Sequence, residues 1–129
     1  MADAVILATG GVSYPSTGSD GSGYELARQC HHTVTELSPS LVGIITIETY
    51  VKNMAGLSLK NVNLSVFDGN KKVFSEMGEM LFTHTGISGP LVLTASSVAN
   101  KAIKNGNCKD KIDLKPALSN EKLEKRILR

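Results

Sequence analysis

At 129 residues the chain has room for one compact domain with a modest core and part of another, but not for two complete domains. Hydrophobic residues make up 41% and charged residues 20%, ordinary globular usage that argues against both a disordered chain and a membrane protein. The 14 basic and 12 acidic residues leave a formal charge of +2, and the basic ones are dispersed until the C-terminal third, so no nucleic-acid footprint is visible. Cys30 and Cys108 are far apart and neither belongs to a Cys-x-x-Cys pair, which predicts reduced thiols in a cytoplasmic protein. The first residues lack a basic stretch and any apolar span long enough for a bilayer, so neither export nor membrane insertion is expected.

Residues 4–8, Ala-Val-Ile-Leu-Ala, are continuously apolar, the pattern of a strand buried on both faces of a parallel sheet. Such a strand needs neighbours supplied by crossover units, and no comparable run precedes it, which predicts an orphan strand from a truncated sheet. A loop rich in Gly, Ser and Pro follows over residues 9–23, longer than an ordinary connection. Residues 24–29 read as a short helix, with Asp20 or Ser22 available as cap and Leu26, Ala27 and Cys30 as its apolar face.

Beyond Pro39 the pattern changes to strands. Residues 41–50 are rich in Ile, Val and Thr, residues 57–67 alternate through Leu57, Leu59, Val62, Leu64 and Val66, and residues 71–77 alternate weakly. Asp68-Gly69-Asn70 is a hairpin signal, and Lys52, Lys60, Lys71 and Lys72 are placed on exposed faces or turns. Residues 79–85 read as a fourth strand, broken by Gly86-Ile87-Ser88-Gly89-Pro90. Ser88 can cap a helix whose stripe is Leu91, Val92, Ala95, Val98, Ala99, Ala102 and Ile103, and Gly106 ends it. A short strand at 111–114 and a helix opening at Ser119 complete the chain. The resulting fold class is α+β: an antiparallel β-meander or small β-barrel with flanking helices, preceded by a strand-loop-helix from a different sheet.

A glycine-rich turn at the carboxyl end of a buried parallel strand is where open α/β sheets bind ligands, because small residues let backbone N–H groups approach a phosphate, ribose or ring. Gly10 and Gly11 suit that role, whereas the order of Gly18, Gly21 and Gly23 does not match a dinucleotide fingerprint, and a flexible surface loop is the competing reading. His84, beside Thr83 and Thr85 on a predicted strand, is either an acid or base or a structural histidine organising the strand-to-helix turn. His31 and His32 are adjacent and point different ways, so no metal site is expected. No catalytic residue can be assigned from spacing alone.

Several blocks together resemble a known family. Ala8-Thr9-Gly10-Gly11-Val12-Ser13-Tyr14-Pro15-Ser16-Thr17-Gly18-Ser19, Gly23-Tyr24-x-x-Ala27, His32 ahead of Pro39-Ser40-Leu41-Val42, Gly56-Leu57-Ser58-Leu59-Lys60-Asn61-Val62, residues 78–90 and Asp113-Leu114-Lys115-Pro116-Ala117-Leu118 occur in the order seen in the BaiN-like bacterial flavoproteins. These are described as NAD(P)/FAD-dependent oxidoreductases or aminoacetone oxidase family FAD-binding proteins. The resemblance runs over nearly the whole chain. Asp20 and Ser22 stand where the family often has Thr and Asp, and His31 where it usually has a helix-ending Gly; His tolerates left-handed geometry better than most non-Gly residues.

The resemblance implies a piece of a Rossmann-like FAD-binding domain at residues 1–38, an inserted β-rich domain with one helix at 39–115, and the start of a helical extension at 116–129. It implies that Thr9, Gly10 and Gly11 line the FAD site, with Ser13, Tyr14, Pro15, Thr17 and Gly18 nearer the flavin or substrate. The partner is then the remainder of the FAD-binding domain, with a small-molecule substrate and without nucleic acid or membrane. The N-terminal G-x-G-x-x-G that grips the FAD pyrophosphate has no counterpart here. The chain alone is therefore expected to be inactive, colourless and unable to hold FAD, with residues 10–23 mobile. The alternative is an independently folding interaction or binding module without cofactor.

Overall fold

The computed structural model describes residues 2–128. They form two compact units, one up to Leu37 and one from Ser38 onward.

In the first unit the apolar residues 4–8 are not a strand. They have no ladder partner, and Val5 and Ile6 are 85% and 92% exposed. The physical reason is that five apolar residues bury nothing without neighbouring strands on either side. A 3₁₀ turn at Pro15–Thr17 follows, then helix α1, Ser22–Gln29, which starts two residues earlier than expected. Gly21 occupies its N-cap without a side-chain cap bond; Asp20 contributes instead by accepting from the Ser22 N–H at 3.0 Å. The expected apolar face is thin, since Leu26 and Cys30 are exposed and only Gly23 is buried. At the C-terminal end His31 takes φ 65, while His32 N–H donates to Ala27 O and His31 N–H to Arg28 O. This paired closure uses His31 where glycine is the usual choice.

The second unit is a five-stranded, wholly antiparallel sheet: β1 (Ile44–Ile45), β2 (Ser58–Asp68), β3 (Lys71–Phe82), β4 (Gly86–Ser88) and β5 (Cys108–Asp113), in the order β1-β4-β3-β2-β5. It curls into a half-barrel, the α+β architecture anticipated from the pattern. The long strand expected over 41–50 shrinks to two residues, because a 3₁₀ helix at Thr49–Met54 takes over and buries Val51. The strands expected at 71–77 and 79–85 are one continuous strand. Gly78 sits inside it, where a Cβ would stand 3.4 Å from Leu91, so this glycine admits a helix side chain and does not end the strand. Residues 86–88, read as a breaker, are β4.

The spacing of the apolar residues in β2 has a structural counterpart. Leu59 and Val62 are three apart, which in a regular strand would put them on opposite faces. Leu59 pairs with Met80 and Val62 with Gly78, so one extra residue is accommodated on β2, and Asn61 beside it takes φ 55. The bulge restores Val62, Leu64 and Val66 to the inner face, where all three are at most 2% exposed. On the outer face, Ser65 and Ser75 are directly opposite and both donate to Asn63 Oδ1 at 3.1 Å. The Asp68/Lys71 hairpin forms as expected around Gly69 and Asn70.

Helix α2, Pro90–Lys104, covers the sheet with Leu91, Val92, Ala95, Ala99 and Ala102; Val98, assigned to the stripe, is instead 55% exposed. The expected Ser88 cap is absent. Gly89 is the N-cap with φ 99, a conformation open to glycine, and a Cβ there would stand 3.0 Å from the Met80 Cα. Ser96 is buried on the same face, where its hydroxyl accepts from Val42 N–H at 3.0 Å and donates to Leu93 O at 2.8 Å. One turn on, Asn100 Nδ2 donates to Pro39 O at 2.7 Å, so α2 clasps the segment leading into the sheet. Gly106 closes the helix as expected, with Asn107 N–H donating to Ala102 O. Helix α3, Asn120–Ile127, starts at Ser119, whose hydroxyl accepts from Lys122 N–H at 3.4 Å. Among the described residues no helix is long and apolar enough to cross a membrane.

Candidate functional site

The loop at residues 9–23 folds back so that its start lies against the beginning of α1. A Cβ on Gly23 would overlap the Thr9 side chain, and one on Gly11 would stand 3.2 Å from the Tyr24 hydroxyl. Gly21 similarly meets Val12 at 2.8 Å and Gly10 meets Ser19 Oγ at 3.4 Å. The glycines therefore act in pairs with larger residues across the loop, which is why so many stand in so short a stretch.

Of the residues singled out from sequence, Thr9, Gly10 and Gly11 come together at this contact. Tyr14, Pro15, Thr17 and Gly18 form a separate tight turn: Thr17 donates to Tyr14 O through both N–H (3.0 Å) and Oγ1 (2.8 Å), and Gly18 N–H donates to Pro15 O at 3.0 Å. Ser13 lies between the two groups. Gly11 is half-buried and the other seven are exposed, Tyr14 by 72%. No residue from 9 to 18 carries a formal charge at neutral pH, so recognition here would rest on main-chain N–H and C=O groups and hydroxyls. Asp20 is the nearest carboxylate in sequence, and hydrogen bonds from the Ser22 backbone and side chain hold it below its ordinary value of 3.8.

His84 is not on a strand. It is exposed in the turn between β3 and β4, which is organised by Thr83: its Oγ1 accepts from the N–H groups of Gly86 at 3.1 Å and Thr85 at 3.4 Å. The structural role foreseen for the histidine thus belongs to its neighbour. Among the described residues no three His, Cys, Asp or Glu side chains come together as a metal site.

The second unit holds a feature that sequence reasoning missed. A cleft of about 400 Å³ opens beside the sheet, with Ile44, Val51, Phe82 and Ile87 among its apolar walls and Thr46, Glu48, Cys108, Lys109 and Asp110 among its polar members. Cys108 Sγ donates to Asp110 Oδ1 at 3.7 Å. Burial, followed by the nearby Asp110 charge, pushes the Cys108 thiol up to about 11 from 9.0, and burial raises Asp110 as well. The available signal was the alternation Cys108-x-Asp110-x-Ile112, which places a carboxylate in the inward register of a strand.

This separates the two thiols chemically. Near pH 8 the thiolate fraction of Cys108 should fall about a hundredfold below that of an ordinary cysteine, so a disulfide reagent should modify exposed Cys30 first and Cys108 slowly. Since ionisation is opposed in the fold, the associated stability is present below pH 9.0 and is lost as pH rises through about 11. Equal modification rates in the native protein, followed by mass spectrometry, would contradict this assignment.

Comparison with known proteins matches these features to a family. Residues 38–129 match the family described as HI0933-like protein barrel and H2TH domain. The chain is 33% identical over 125 residues, 96% of its length, to the 3-dehydro-bile acid delta(4,6)-reductase of Clostridium scindens, of which it covers 30%. It is 34% identical over 133 aligned residues to the ribosomal RNA dihydrouridine synthase of Haemophilus influenzae, covering 96% of this chain and 32% of that protein. The protein of that name in Escherichia coli is 34% identical over 93 residues, covering 72% and 23%. The chain thus spans about a third or less of the length of these relatives. With its half-barrel unit lying within the matched residues, the chain belongs to the HI0933-like family, whose members are related to FAD-dependent oxidoreductases.

Proposed function

We propose that this chain is part of a longer FAD-dependent oxidoreductase, in which Thr9, Gly10 and Gly11 line the FAD site and Ser13, Tyr14, Pro15, Thr17 and Gly18 lie towards the flavin or substrate. The supporting observation is the packing of this glycine-rich loop, uncharged over residues 9–18, on the first turn of α1, next to an apolar segment that has no strand partner. Residues 1–38 would then complete their sheet with the rest of the FAD-binding domain, 39–115 would form the insert that shapes the substrate side, and 116–129 would begin a helical extension.

The loop fits such a ligand in two respects. Gly10 and Gly18 are exposed and, lacking side chains, present main chain, and a Cβ on Gly18 would meet nothing within 4 Å, so a ring or ribose can approach closely. A bound flavin would supply the exchange of hydride or electrons; the residues here supply hydrogen bonds and shape. The relatives' names describe a reductase acting on a 3-dehydro bile acid and a synthase of dihydrouridine in ribosomal RNA. We take reduction as the reaction class, with NAD(P)H as the electron donor and the cytoplasm as the location.

The test is reconstitution of the longer protein with FAD, followed by a screen of electron donors and acceptors. We expect a yellow protein with one tightly held flavin, and amides of residues 10–23 that become protected from exchange as it binds. The 129-residue chain alone should stay colourless, and Gly11→Val in the longer protein should weaken flavin binding at least about tenfold. A longer protein that takes up no flavin, or tight binding by the short chain, would refute the reading.

A further inference from the structure

Lys72 lies far along the sequence from Lys109 and Lys111, yet the strand register collects all three on one surface. Val62, Leu64 and Val66 of β2 face the core, so Ser65 and Phe67 face outward. In β5, Lys109 is directly opposite Phe67 and Lys111 opposite Ser65. In β3, Lys72 is opposite Phe67 and Ser75 opposite Ser65. The pairing shifts between Val66 and Phe67, which takes Val73 to the core and leaves Lys72 paired with the aromatic residue. Side chains paired across strands in this way share a face.

The outer face is therefore built in tiers across three strands. The tier nearest the hairpin turn is Lys109, Phe67 and Lys72, and the next is Lys111, Ser65 and Ser75. The first carboxylate on this face is Asp113, opposite Asn63 in the third tier. All three lysines are exposed, and among the described residues none of them has an ion-pair partner. Strand spacing sets the backbones of Lys109 and Lys111 about 7 Å apart and those of Lys109 and Lys72 about 10 Å apart. Phe67 is partly exposed between two of them, and it belongs neither to the core nor to the side chains packed against it. A ring flanked by ammonium groups, beside a tier of hydroxyls, suits a stacked base with its phosphates on either side.

We propose that this outer face binds single-stranded RNA. Phe67 stacks on one base, Lys72, Lys109 and Lys111 hold neighbouring phosphates, and Ser65, Ser75 and Asn63 meet ribose hydroxyls. Charge complementarity selects a polyanion, and the aromatic ring selects one with unpaired bases. The expectation of no nucleic-acid partner rested on the dispersal of basic residues along the chain, which the register undoes for these three. Lys109, on the edge strand, also borders the cleft, but the surface requires neither the cleft nor a flavin.

The probe is a fluorescein-labelled RNA of about twelve nucleotides without self-complementarity, titrated with the 129-residue chain and followed by anisotropy. Binding should weaken about sixteenfold between about 50 mM and about 200 mM salt, the slope expected when three phosphates are neutralised. Lys72→Gln, Lys109→Gln and Lys111→Gln combined should remove that salt dependence. Phe67→Leu should weaken binding about tenfold and leave the salt slope unchanged. If Phe67→Leu lowers thermal stability, Lys111→Glu, at an exposed position, serves instead and should weaken binding by at least about tenfold. In the isotope-labelled chain the RNA should shift the amides of residues 65, 67, 72, 109 and 111. The proposal is overturned if no RNA binds at the lower salt concentration, or if inorganic polyphosphate of equal charge binds as tightly as RNA. It is equally overturned if a folded Phe67 variant binds as well as the parent, or if the shifts lie at Lys122, Lys125 and Arg126 of α3.

Discussion

Leu64→Ala is expected to lower the free energy of unfolding by about 2–5 kcal/mol. Leu64 is fully buried at the centre of β2, the strand flanked by both β3 and β5, where it pairs with Glu76 on one side and Ile112 on the other. Its inward neighbours Val62 and Val66 are held in the ladders and cannot collapse into the vacated space, so the cavity term adds to the lost transfer free energy. For a small domain whose total stability is about 5–10 kcal/mol, that is a large fraction. The check is denaturant unfolding followed by circular dichroism: the midpoint should drop steeply with little change in slope. A loss below about 1 kcal/mol would mean that the half-barrel is packed far more loosely than described.

The second large effect concerns β4. A Cβ at Gly86 would overlap the Ile44 carbonyl oxygen and come within 2.9 Å of Ile45 Cα and Thr46 N. These are backbone atoms, so no rotamer change relieves the clash. Gly86→Ala should force β1 away from β4, costing about 2–3 kcal/mol or more and releasing the Thr46 N–H from Thr85 O. Amide exchange gives a local reading: Thr46 should lose protection, while residues in the β2–β3 ladder keep theirs relative to the lowered global stability. Retained protection at Thr46 would show that the β1–β4 pairing tolerates a side chain at this position.

The two substitutions also mark what was legible beforehand. Leu64 was plain from alternation, and the β2–β3 hairpin from Asp68-Gly69-Asn70, because local patterning decides both. The stripe of α2, Val98 apart, and its closure at Gly106 were readable for the same reason. Gly86 was read as part of a breaker, and Gly78 fell between two separate expected strands, because a glycine signals an absent side chain without revealing what fills the space. Here the filler is the backbone of Ile44 in one case and Leu91 in the other, both distant in sequence. Residues 41–50 misled because β-branched composition resembles a strand, while the turn into a 3₁₀ helix at Thr49 depends on tertiary packing of Val51.

The candidate flavin loop was legible through its glycines and its family resemblance, and its own contacts refine the picture. Gly23 matters through Thr9, not as part of a phosphate fingerprint. His31 at φ 65 occupies the left-handed position anticipated from the family's usual glycine. The cleft stayed hidden because polar members such as Thr46, Glu48, Cys108, Lys109 and Asp110 come from two separate segments and form no recognisable motif.

The clasp formed by Ser96 and Asn100 has a practical consequence for dissecting the molecule. Trimming the chain up to residue 37 leaves both grips intact, whereas a cut beyond Val42 strips the donor that Ser96 accepts from and the carbonyl that Asn100 reaches. The serine hydroxyl, sunk in the interior, would then lose its incoming bond, at a cost of about 1–3 kcal/mol. A minimal stand-alone half-barrel unit should begin no later than Ser38.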